Sequence, residues 1–474
     1  MRVASSAPTT RPQSSPAPSA GRRARAHPPD HEDGSLLTAF SAETLAGLPG
    51  GPALAEARRA ALERFSAIDL PDTSSEEWRY SRIGELDLER FSPVLAAPGS
   101  IALPPEIEAL IAASTASTVV VVADGLGVEL RRRAEGVSVV SGADAVPADG
   151  PGEAGSAAGD AFGALNDAFS LPLRIEVSSG SRPGTVAVVH WLSTPGSAVF
   201  PRTSLVVGDR AEVDLLEVSA SASAEVGSLV VGRTALDVGD GAVAGYLHLQ
   251  QLGSRVWQIA EQSSRVGRDA SFTAFSVALG GDYARVRTSS SLVGTGGTSR
   301  LHAVYFASGS RSVDFRTVQE HRAARTTSDL LFKGAVANRS QAVYTGVIRV
   351  EKGAAGTNAY QTNRNLVLHS GARADSVPNL EIEDNDVRCS HASAVGPIAE
   401  DQRFYLASRG VPPEAADRLI TLGFLDEVLD RVPSQPVADH VRRGLVSALD
   451  HAEAVEAGRA GAEQGAPGSR GEPS

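Results

Sequence analysis

The residues best suited to chemistry in this 474-residue chain are its single cysteine, Cys389, and a histidine two positions later, His391. On a β-strand, residues two apart point to the same face, so this thiol and imidazole can meet one ligand together. A neighbouring His can lower the pKa of a thiol, and both groups bind iron or copper well. Two ligands do not close a metal site, so a third would come from elsewhere in the chain or from another subunit. The alternative is a buried, inert cysteine beside a hydrogen-bonded histidine.

Nucleophilic hydrolysis is a second chemistry that these residue types permit, because a thiol can be activated by a base that a carboxylate orients. The candidates are Cys389, His391, His321, Asp386 and Glu381. No hydrolase or protease motif surrounds them, which disfavours this class of enzyme. Solvated turns are the default interpretation of the carboxylates near Glu320 and between Glu381 and Asp386.

Composition and charge exclude several other classes of protein. A formal net charge of −12 argues against a nucleic-acid binder, since neutralising phosphates needs clustered Lys and Arg. One cysteine rules out an internal disulfide and makes a structural zinc site unexpected, so a reducing, cytoplasmic setting fits best. No apolar run approaches the ~20 residues of a membrane helix. The glycine-rich VGTGGTSR at Val293 lacks the lysine and helix of a phosphate-binding loop, so it predicts a turn between strands.

A long series of strands must position Cys389 and His391. Between Val186 and Val395, glycine- and aspartate-rich turn signals recur between short β-rich runs, and no strong helical pattern interrupts them. This predicts a sandwich, a barrel or a β-solenoid. The run VYTGVIRV (343–350) alternates, with Tyr344, Gly346, Ile348 and Val350 predicted on one face. Polar residues with turn preferences favour the solenoid, and Asn358, Asn363 and Asn365 are predicted at its turns.

Helical patterns flank these strands on both sides. Residues 52–67 have apolar positions at helical spacing, and further patterns predict a helix over 105–113 and a strand over 118–123. Residues 142–159 are rich in Gly, Ala and Asp and predict a long loop. A helix starting at Pro412–Pro413 has an apolar stripe wider than one core face needs, between Ala416 and Leu429. Two interpretations stay open here: a cap over the last coil, or a cap that also docks a partner.

Several sequence motifs together resemble those of the SufB/SufD family of iron–sulfur cluster assembly proteins. They are TTSDLLFKGAV (326–336), QTNRNLVL (361–368), PNLEIEDNDVRCSHASAVG (378–396) and FYLASRG (404–410), with weaker words EEWRYS (76–81) and FGALNDAF (162–169). Within the family the chain is more similar to the SufD branch, because a SufB-like chain is expected to carry additional cysteines and this chain has only Cys389. A SufB-type paralogue is the alternative.

The resemblance implies a fold and a domain order. The implied fold is mainly β: a right-handed parallel β-helix, or solenoid, flanked by N-terminal and C-terminal α-helical regions. The predicted regions are a disordered tail (1–34), an N-terminal helical and mixed region (35–160), the β-helix core (161–396), a C-terminal helical domain (397–456) and a second disordered tail (457–474). An organelle transit peptide is the less favoured interpretation of the first tail, because acidic residues follow it closely.

The resemblance also implies partners and a site. SufB would pair through the end of the β-helix, and the SufC ATPase would bind the C-terminal helices. A transient iron–sulfur cluster shared with SufB would form at His391, with Cys389 alongside, and both are tentative iron ligands. No nucleotide is expected on this chain, and contact with a reduced flavin is left open. A scaffold, not an enzyme, is implied; a β-helix acting on polysaccharide would need secretion and a catalytic carboxylate or basic cluster, and neither is found.

The chain departs from the family words at several positions. Ala392 follows the histidine where Gly is usual, and Asn385 stands in the common DDV word. Phe315 stands where a histidine is frequent, and Ala324 where Pro is common. None of these changes removes Cys389 or His391, but Phe315 argues against iron ligands in the upstream segment. A variant role in which the chain only supports SufB is therefore kept as an alternative.

Overall fold

Short helices and small strands precede the main body of strands. The computed structural model describes residues 38–99, 101–146 and 160–465; the predicted tail over 1–34 lies outside them. The elements in this first part are α1 (Ala42–Ala46), α2 (Pro52–Ser66), β1 (Ser92–Pro93), α3 (Pro105–Ala113), β2 (Thr118–Ala123), β3 (Gly127–Arg132), β4 (Val137–Ser141) and α4 (Ala161–Phe169). The predicted helices over 52–67 and 105–113 and the predicted strand over 118–123 are confirmed. A short 3₁₀ helix, Gly142–Ala145, begins the predicted loop, whose residues 147–159 lie outside the described part.

Seventeen strands follow without an intervening helix. They are β5 (Leu173–Val177), β6 (Gly184–Leu192), β7 (Ser197–Val199), β8 (Arg202–Val207), β9 (Glu212–Ser221), β10 (Leu229–Val238), β11 (Val243–Gln251), β12 (Trp257–Val266), β13 (Ser271–Ala278), β14 (Tyr283–Leu292), β15 (Thr298–Ala307), β16 (Ser312–His321), β17 (Thr327–Val336), β18 (Gln341–Val350), β19 (Thr357–Val367), β20 (Arg373–Ile382) and β21 (Val387–Gly396).

These strands wind into a parallel β-solenoid of about 8 coils. From β8 onward, even-numbered strands form one sheet and odd-numbered strands a second sheet, each paired in parallel with the strand one coil away. Successive strands of a sheet begin about thirty residues apart, within the range of repeats that stack into solenoids. The predicted mainly β fold with helices at both ends is confirmed, and the sandwich and barrel alternatives are wrong. Both sheets begin before residue 161, because β2 pairs with β6 and β4 with β5.

Side-chain alternation divides each strand between the solenoid lumen and an outer face. In β18 the buried residues include Tyr344, Gly346, Ile348 and Val350, as the alternation predicted. Aromatic rings fill the lumen of the later coils, where Phe315 lies 5.2 Å from Tyr305 and 5.3 Å from Phe332 between ring centroids. Phe315 is therefore part of the packed core.

Two helical layers cover the outer faces of the sheets. Helices α2 and α4 pack on the first sheet, in a cluster that includes Leu62, Phe162 and Trp257. The segment after α2 is fixed by arginines of the same sheet: the guanidinium of Arg285 lies 3.8 Å from the ring centroid of Trp78. The Nη2 atom of Arg316 donates to the carbonyl oxygen of Arg79 at 2.8 Å. The segment EEWRYS (76–81), which resembles the family only weakly, therefore packs along the outer face of the first sheet.

The chain ends in three helices: α5 (Glu400–Ser408), α6 (Pro413–Leu429) and α7 (Gln435–Gly465). Together with α3, helices α6 and α7 cover the outer face of the second sheet through residues such as Leu425, Val441 and Leu445. Helix α7 passes residue 457, where a disordered tail was expected to begin, because this Ala- and Glu-rich stretch has high helix propensity. Residues 466–474 lie outside the described part.

Candidate functional site

Cys389 and His391 lie on β21, the last strand of the second sheet. In the parallel register, Cys389 is beside Ala359 and His391 is beside Gln361. Ala359 and Gln361 are buried, with exposed fractions of 0% and 1%, and belong to the lumen side of β19. Because side chains in register point to the same side of a parallel sheet, Cys389 and His391 share the lumen-facing side of β21.

The coil that holds these two residues is the open end of the solenoid. Among the described strands, β21 pairs only with β19 and β20 only with β18, so each has an edge with no further strand of the described chain. Most residues of both strands are exposed or half-buried, including Ile382 (42% exposed) and Val395 (43% exposed). Parallel sheets are normally covered, and uncovered strand edges are templates for pairing with another chain. This end is therefore a candidate interface.

The two side chains meet different environments at this end. Cys389 is half-buried and packs against a small apolar cluster that includes Ile348, Val350 and Ala359. Burial raises the pKa of the Cys389 thiol, opposed by a weaker backbone hydrogen bond from Ala359. The expectation that the neighbouring histidine lowers this pKa is therefore wrong for the free chain. His391 is exposed. A bound metal ion would favour the thiolate, because thiols bind metal ions in the deprotonated form.

A buried polar layer forms the floor beneath the open coil. The hydroxyl of Tyr305 donates to Oδ1 of Asn365 at 2.6 Å and accepts from Nδ2 of Asn363 at 3.2 Å. Nδ2 of Asn365 donates to Oδ1 of Asn363 at 2.8 Å. Asn358, Asn363 and Asn365 were predicted at turns; all three lie in strand β19. This prediction is wrong. For Asn363 and Asn365 the reason is that the lumen supplies hydrogen-bond partners, which make Asn stable on a buried strand face.

The other residues considered for hydrolysis are not gathered around Cys389. His321 is fully buried in β16 and hydrogen-bonds Thr326 and Ser328 at 2.7 and 2.9 Å. Burial lowers the pKa of His321 to about 4. Glu381 is paired with Arg349 at 2.7 Å on the outer surface, and the backbone oxygen of Asp386 accepts from Gly356. These contacts give no base-and-carboxylate arrangement at the thiol.

The metal-ligand set on this chain is incomplete. Over residues 38–99, 101–146 and 160–465, no group of three or more His, Cys, Asp or Glu side chains is placed to hold a metal ion. Cys389 and His391 can supply one sulfur and one nitrogen from the same strand face, a donor pair suited to iron. The remaining ligands must come from a bound partner or from sulfide.

A second charged cluster, inside the earlier coils, was missed at the sequence level. Glu217 is buried in the lumen and accepts hydrogen bonds from His190 at 2.8 Å and Tyr246 at 2.5 Å. Burial raises the pKa of Glu217, but the bond and charge of His190, with His248 and Tyr246, outweigh burial and bring the pKa down to about 2. The signal was present: a lone Glu in the apolar run DLLEVSA (214–220) marks a buried carboxylate that needs partners.

The C-terminal helices present a second exposed apolar surface. Phe404 is 77% exposed, Tyr405 59% and Leu419 55%. Beside them lies a groove between α5, α6 and strands β17 and β19, lined by Lys333, Arg364, Leu366, Tyr405, Phe424 and Glu427. The exposure of Leu419 agrees with the prediction that the apolar stripe between Ala416 and Leu429 is wider than one core face needs. We call Phe404, Tyr405 and Leu419 the outer helix patch.

Comparison with known proteins identifies the domain. Residues 190–424 match the family model described as SUF system FeS cluster assembly, SufBD core domain. This chain contains a SufBD core domain. The match runs from the early solenoid through β21 into α6, so Cys389 and His391 lie within it. The resemblance to the SufB/SufD family is confirmed.

Curated relatives agree with this assignment. A SufBD family protein of Mycobacterium bovis is 36% identical over 201 residues, 41% of this chain and 50% of the relative. The iron–sulfur cluster assembly protein SufD of Escherichia coli is 34% identical over 176 residues, 37% of this chain and 42% of the relative. SufD of Bacillus subtilis is 28% identical over 282 residues, 59% of this chain and 62% of the relative. The chain spans about half the length of the curated relatives that it matches.

In the part of the chain that the structure describes, no helix combines the length and the apolarity needed to cross a membrane.

Proposed function

We propose that this chain is a SufD-like scaffold subunit that assembles iron–sulfur clusters together with SufB and the SufC ATPase. One observation carries the proposal: Cys389 and His391 share the lumen side of the last, uncovered strand of a SufBD core domain. This places a soft sulfur donor and an imidazole at an edge that another chain can cover. Iron and sulfide are then cargo that passes through the complex.

The partner at the open end is proposed to be SufB. Two parallel sheets with unpaired edges, β20 and β21, can stack end to end with the sheets of a second solenoid. Such a contact would bury the exposed Ile382 and Val395 and supply the ligands that this chain lacks. It would also remove water from Cys389 and His391, which strengthens every interaction with the bound iron.

Within that interface the chain's own residues have separate tasks. The imidazole of His391 offers a ring nitrogen to iron. The Cys389 thiol, whose pKa is raised by burial, loses its proton when a metal ion arrives. A site that holds a proton until iron binds protects the thiol from oxidation in the absence of cargo. This makes the cysteine a metal-dependent ligand.

SufC is proposed to bind the C-terminal helices. The outer helix patch is apolar, and its Leu419 lies on α6, which Leu425, Val428 and Leu429 fix to the second sheet. Phe404 and Tyr405 lie on α5, which an ion pair between Arg403 and Asp417 joins to α6. A movement imposed on α6 would therefore be transmitted to the sheet that ends in β21. No nucleotide is assigned to this chain, and a flavin is not part of the proposal.

Coexpression with SufB and SufC tests the proposed function. The complex is purified through a tag on this chain, and iron and acid-labile sulfide are measured against protein. We expect all three proteins in one complex that contains both elements. A complex without SufB, or one that forms but never holds iron and sulfide, would contradict the proposal.

The purely structural alternative is that this subunit only supports SufB. It predicts the same complex with a cluster content that does not depend on His391. The alternative in which the chain is itself SufB-like predicts assembly with SufC in the absence of added SufB.

A further inference from the structure

A buried glutamine lies next to His391 in the lumen and has no partner. The carboxamide of Gln361 is 1% exposed, and neither its oxygen nor its nitrogen has a hydrogen-bond partner. A buried amide without partners is rare, because it has lost its bonds to water without replacement. Such a group in a native lumen calls for a ligand or a neighbouring side chain.

The surroundings of Gln361 are shaped to hold its amide group in the lumen. A methyl group on Gly346, across the lumen in β18, would lie 2.5 Å from Nε2 of Gln361 and would also overlap the Tyr344 hydroxyl. The absence of a side chain at Gly346 therefore makes the space that the amide occupies. Two other polar groups of this lumen are already engaged: Tyr344 bonds Thr317 at 3.0 Å, and Asn363 bonds Tyr305 at 3.2 Å.

His391 is the polar side chain directly above Gln361 in the column. The two residues are in register on neighbouring strands, about 4.8 Å apart along the hydrogen-bonding direction, and both are on the lumen side. Beneath Gln361 the same column continues with Leu330, which offers no hydrogen bond. The imidazole of His391, exposed in this structure, can turn inward over the amide.

We propose that Gln361 is a positioning residue for His391. Its carboxamide oxygen accepts a hydrogen bond from one imidazole N–H of the inward-turned His391, which leaves the other ring nitrogen free to bind iron. Histidines that bind metals generally donate their second N–H to an acceptor in this way, which fixes the tautomer and the ring orientation. This inference rests on the proposed function, since it assigns the supporting residue of the same site.

The first test uses the full chain without iron or partners. Histidine ring nitrogens are labelled with ¹⁵N, and the His391 resonances are assigned by their loss in His391→Ala. We expect one dominant His391 tautomer in the wild type and loss of this preference in Gln361→Met, which keeps length and removes the acceptor. Gln361→Glu retains an acceptor and should keep the preference.

A matched control is available in the same lumen. Gln319 is also fully buried and without partners, but its neighbours in register are Ser290 and Ile348. Gln319→Met should leave the His391 resonances unchanged. Identical His391 spectra in the wild type and Gln361→Met, or equal changes in both methionine variants, would overturn the inference. If Gln361→Met does not fold, Gln361→Asn shortens the amide and takes its place.

The second test measures iron in the purified complex with SufB and SufC. Gln361→Met should lower retained iron about tenfold, the range seen when the outer partner of a metal-binding histidine is lost. Unchanged iron would overturn the positioning role. The two tests can fail separately. A His391→Ala complex that keeps its cluster would refute the proposed function. The nitrogen spectra are recorded without iron, so they would still show whether Gln361 positions His391.

Discussion

The Nζ atom of Lys333, in strand β17, donates a hydrogen bond to the carbonyl oxygen of Phe424 in helix α6 at 3.0 Å and also pairs with Glu427. The same ammonium lies 4.3 Å from the Phe424 ring centroid. Lys333 is 2% exposed. One buried cation thus joins α6, which carries Leu419 of the outer helix patch, to the solenoid that carries Cys389 and His391.

Replacing Lys333 with methionine should loosen α6 without unfolding the solenoid. Methionine keeps the chain length but loses the hydrogen bond and the cation–π contact, a loss of about 1–3 kcal/mol. Hydrogen exchange of α6 amides should accelerate, while that of β14 and β16 should not change. Glu427→Gln is the milder control, because the Glu427 side chain is 48% exposed. Equal protection of α6 in all three proteins would show that Lys333 does not fix the helix.

Charge placed on the outer helix patch should block SufC. Leu419→Asp puts a carboxylate into the apolar outer helix patch at a residue that is 55% exposed. We expect SufC to be lost from the purified complex while SufB is retained. The control is Leu130→Asp, a similarly exposed leucine (45%) in the N-terminal β3. Retention of SufC by the Leu419 variant, or its loss from both variants, would place the SufC contact elsewhere.

Acid should destabilise the solenoid through Glu217. Its pKa in the folded chain is about 2 against an ordinary value of 4.5. A depressed carboxylate pKa contributes stability that is complete above the ordinary value and is lost as pH falls towards the folded value. The free energy of unfolding of the wild type, measured with urea, should therefore fall as the pH is lowered from about 4.5 to about 2.

Glu217→Gln isolates that contribution. The amide cannot accept all the donors now aimed at the carboxylate, so stability at pH 7 should fall by about 3 kcal/mol, and the slope below pH 4.5 should become shallower. Glu212→Gln, in the same strand but on the surface, should change neither quantity. An unchanged acid slope in Glu217→Gln would mean that other carboxylates govern acid unfolding.

A methyl group at Gly334 should be poorly tolerated. The Cβ atom of an alanine there would overlap the ring of Tyr305, which is 1% exposed and fixed by Asn363 and Asn365. Overpacking of this kind costs about 1–3 kcal/mol. Gly423→Ala in α6 is the opposite control, since nothing lies within 4 Å of the added atom and helix propensity favours alanine. The midpoint temperature of thermal unfolding should fall for Gly334→Ala and should not fall for Gly423→Ala.

The fold could be predicted from the sequence where the spacing of apolar residues along one buried face dominates. Alternation in VYTGVIRV predicted the lumen face of β18, and helical spacing predicted α2, because burial of one face decides these elements. Asn363 and Asn365 of β19 were predicted at turns, because turn preference is local and the Tyr305 hydroxyl that bonds them comes from two coils away.

The site was predicted only in part, for the same reason. The spacing of Cys389 and His391 was enough to place them on one face of a strand. Their position at the open end depends on the number of coils and on where the covering helices stop, which are properties of the whole chain. The raised thiol pKa and the unpartnered Gln361 depend on neighbours from other coils and could not be predicted from local sequence.

The most direct test of the account is the cluster content of the complex when His391 is replaced. Iron and acid-labile sulfide are measured in complexes copurified with SufB and SufC from wild type, His391→Ala and Ser390→Ala, the last a neighbour on the opposite face of β21. We expect intact complexes in all three, with iron and sulfide at least about tenfold lower only in His391→Ala. Equal iron and sulfide in His391→Ala and the wild type would contradict it and assign the chemistry to the partner.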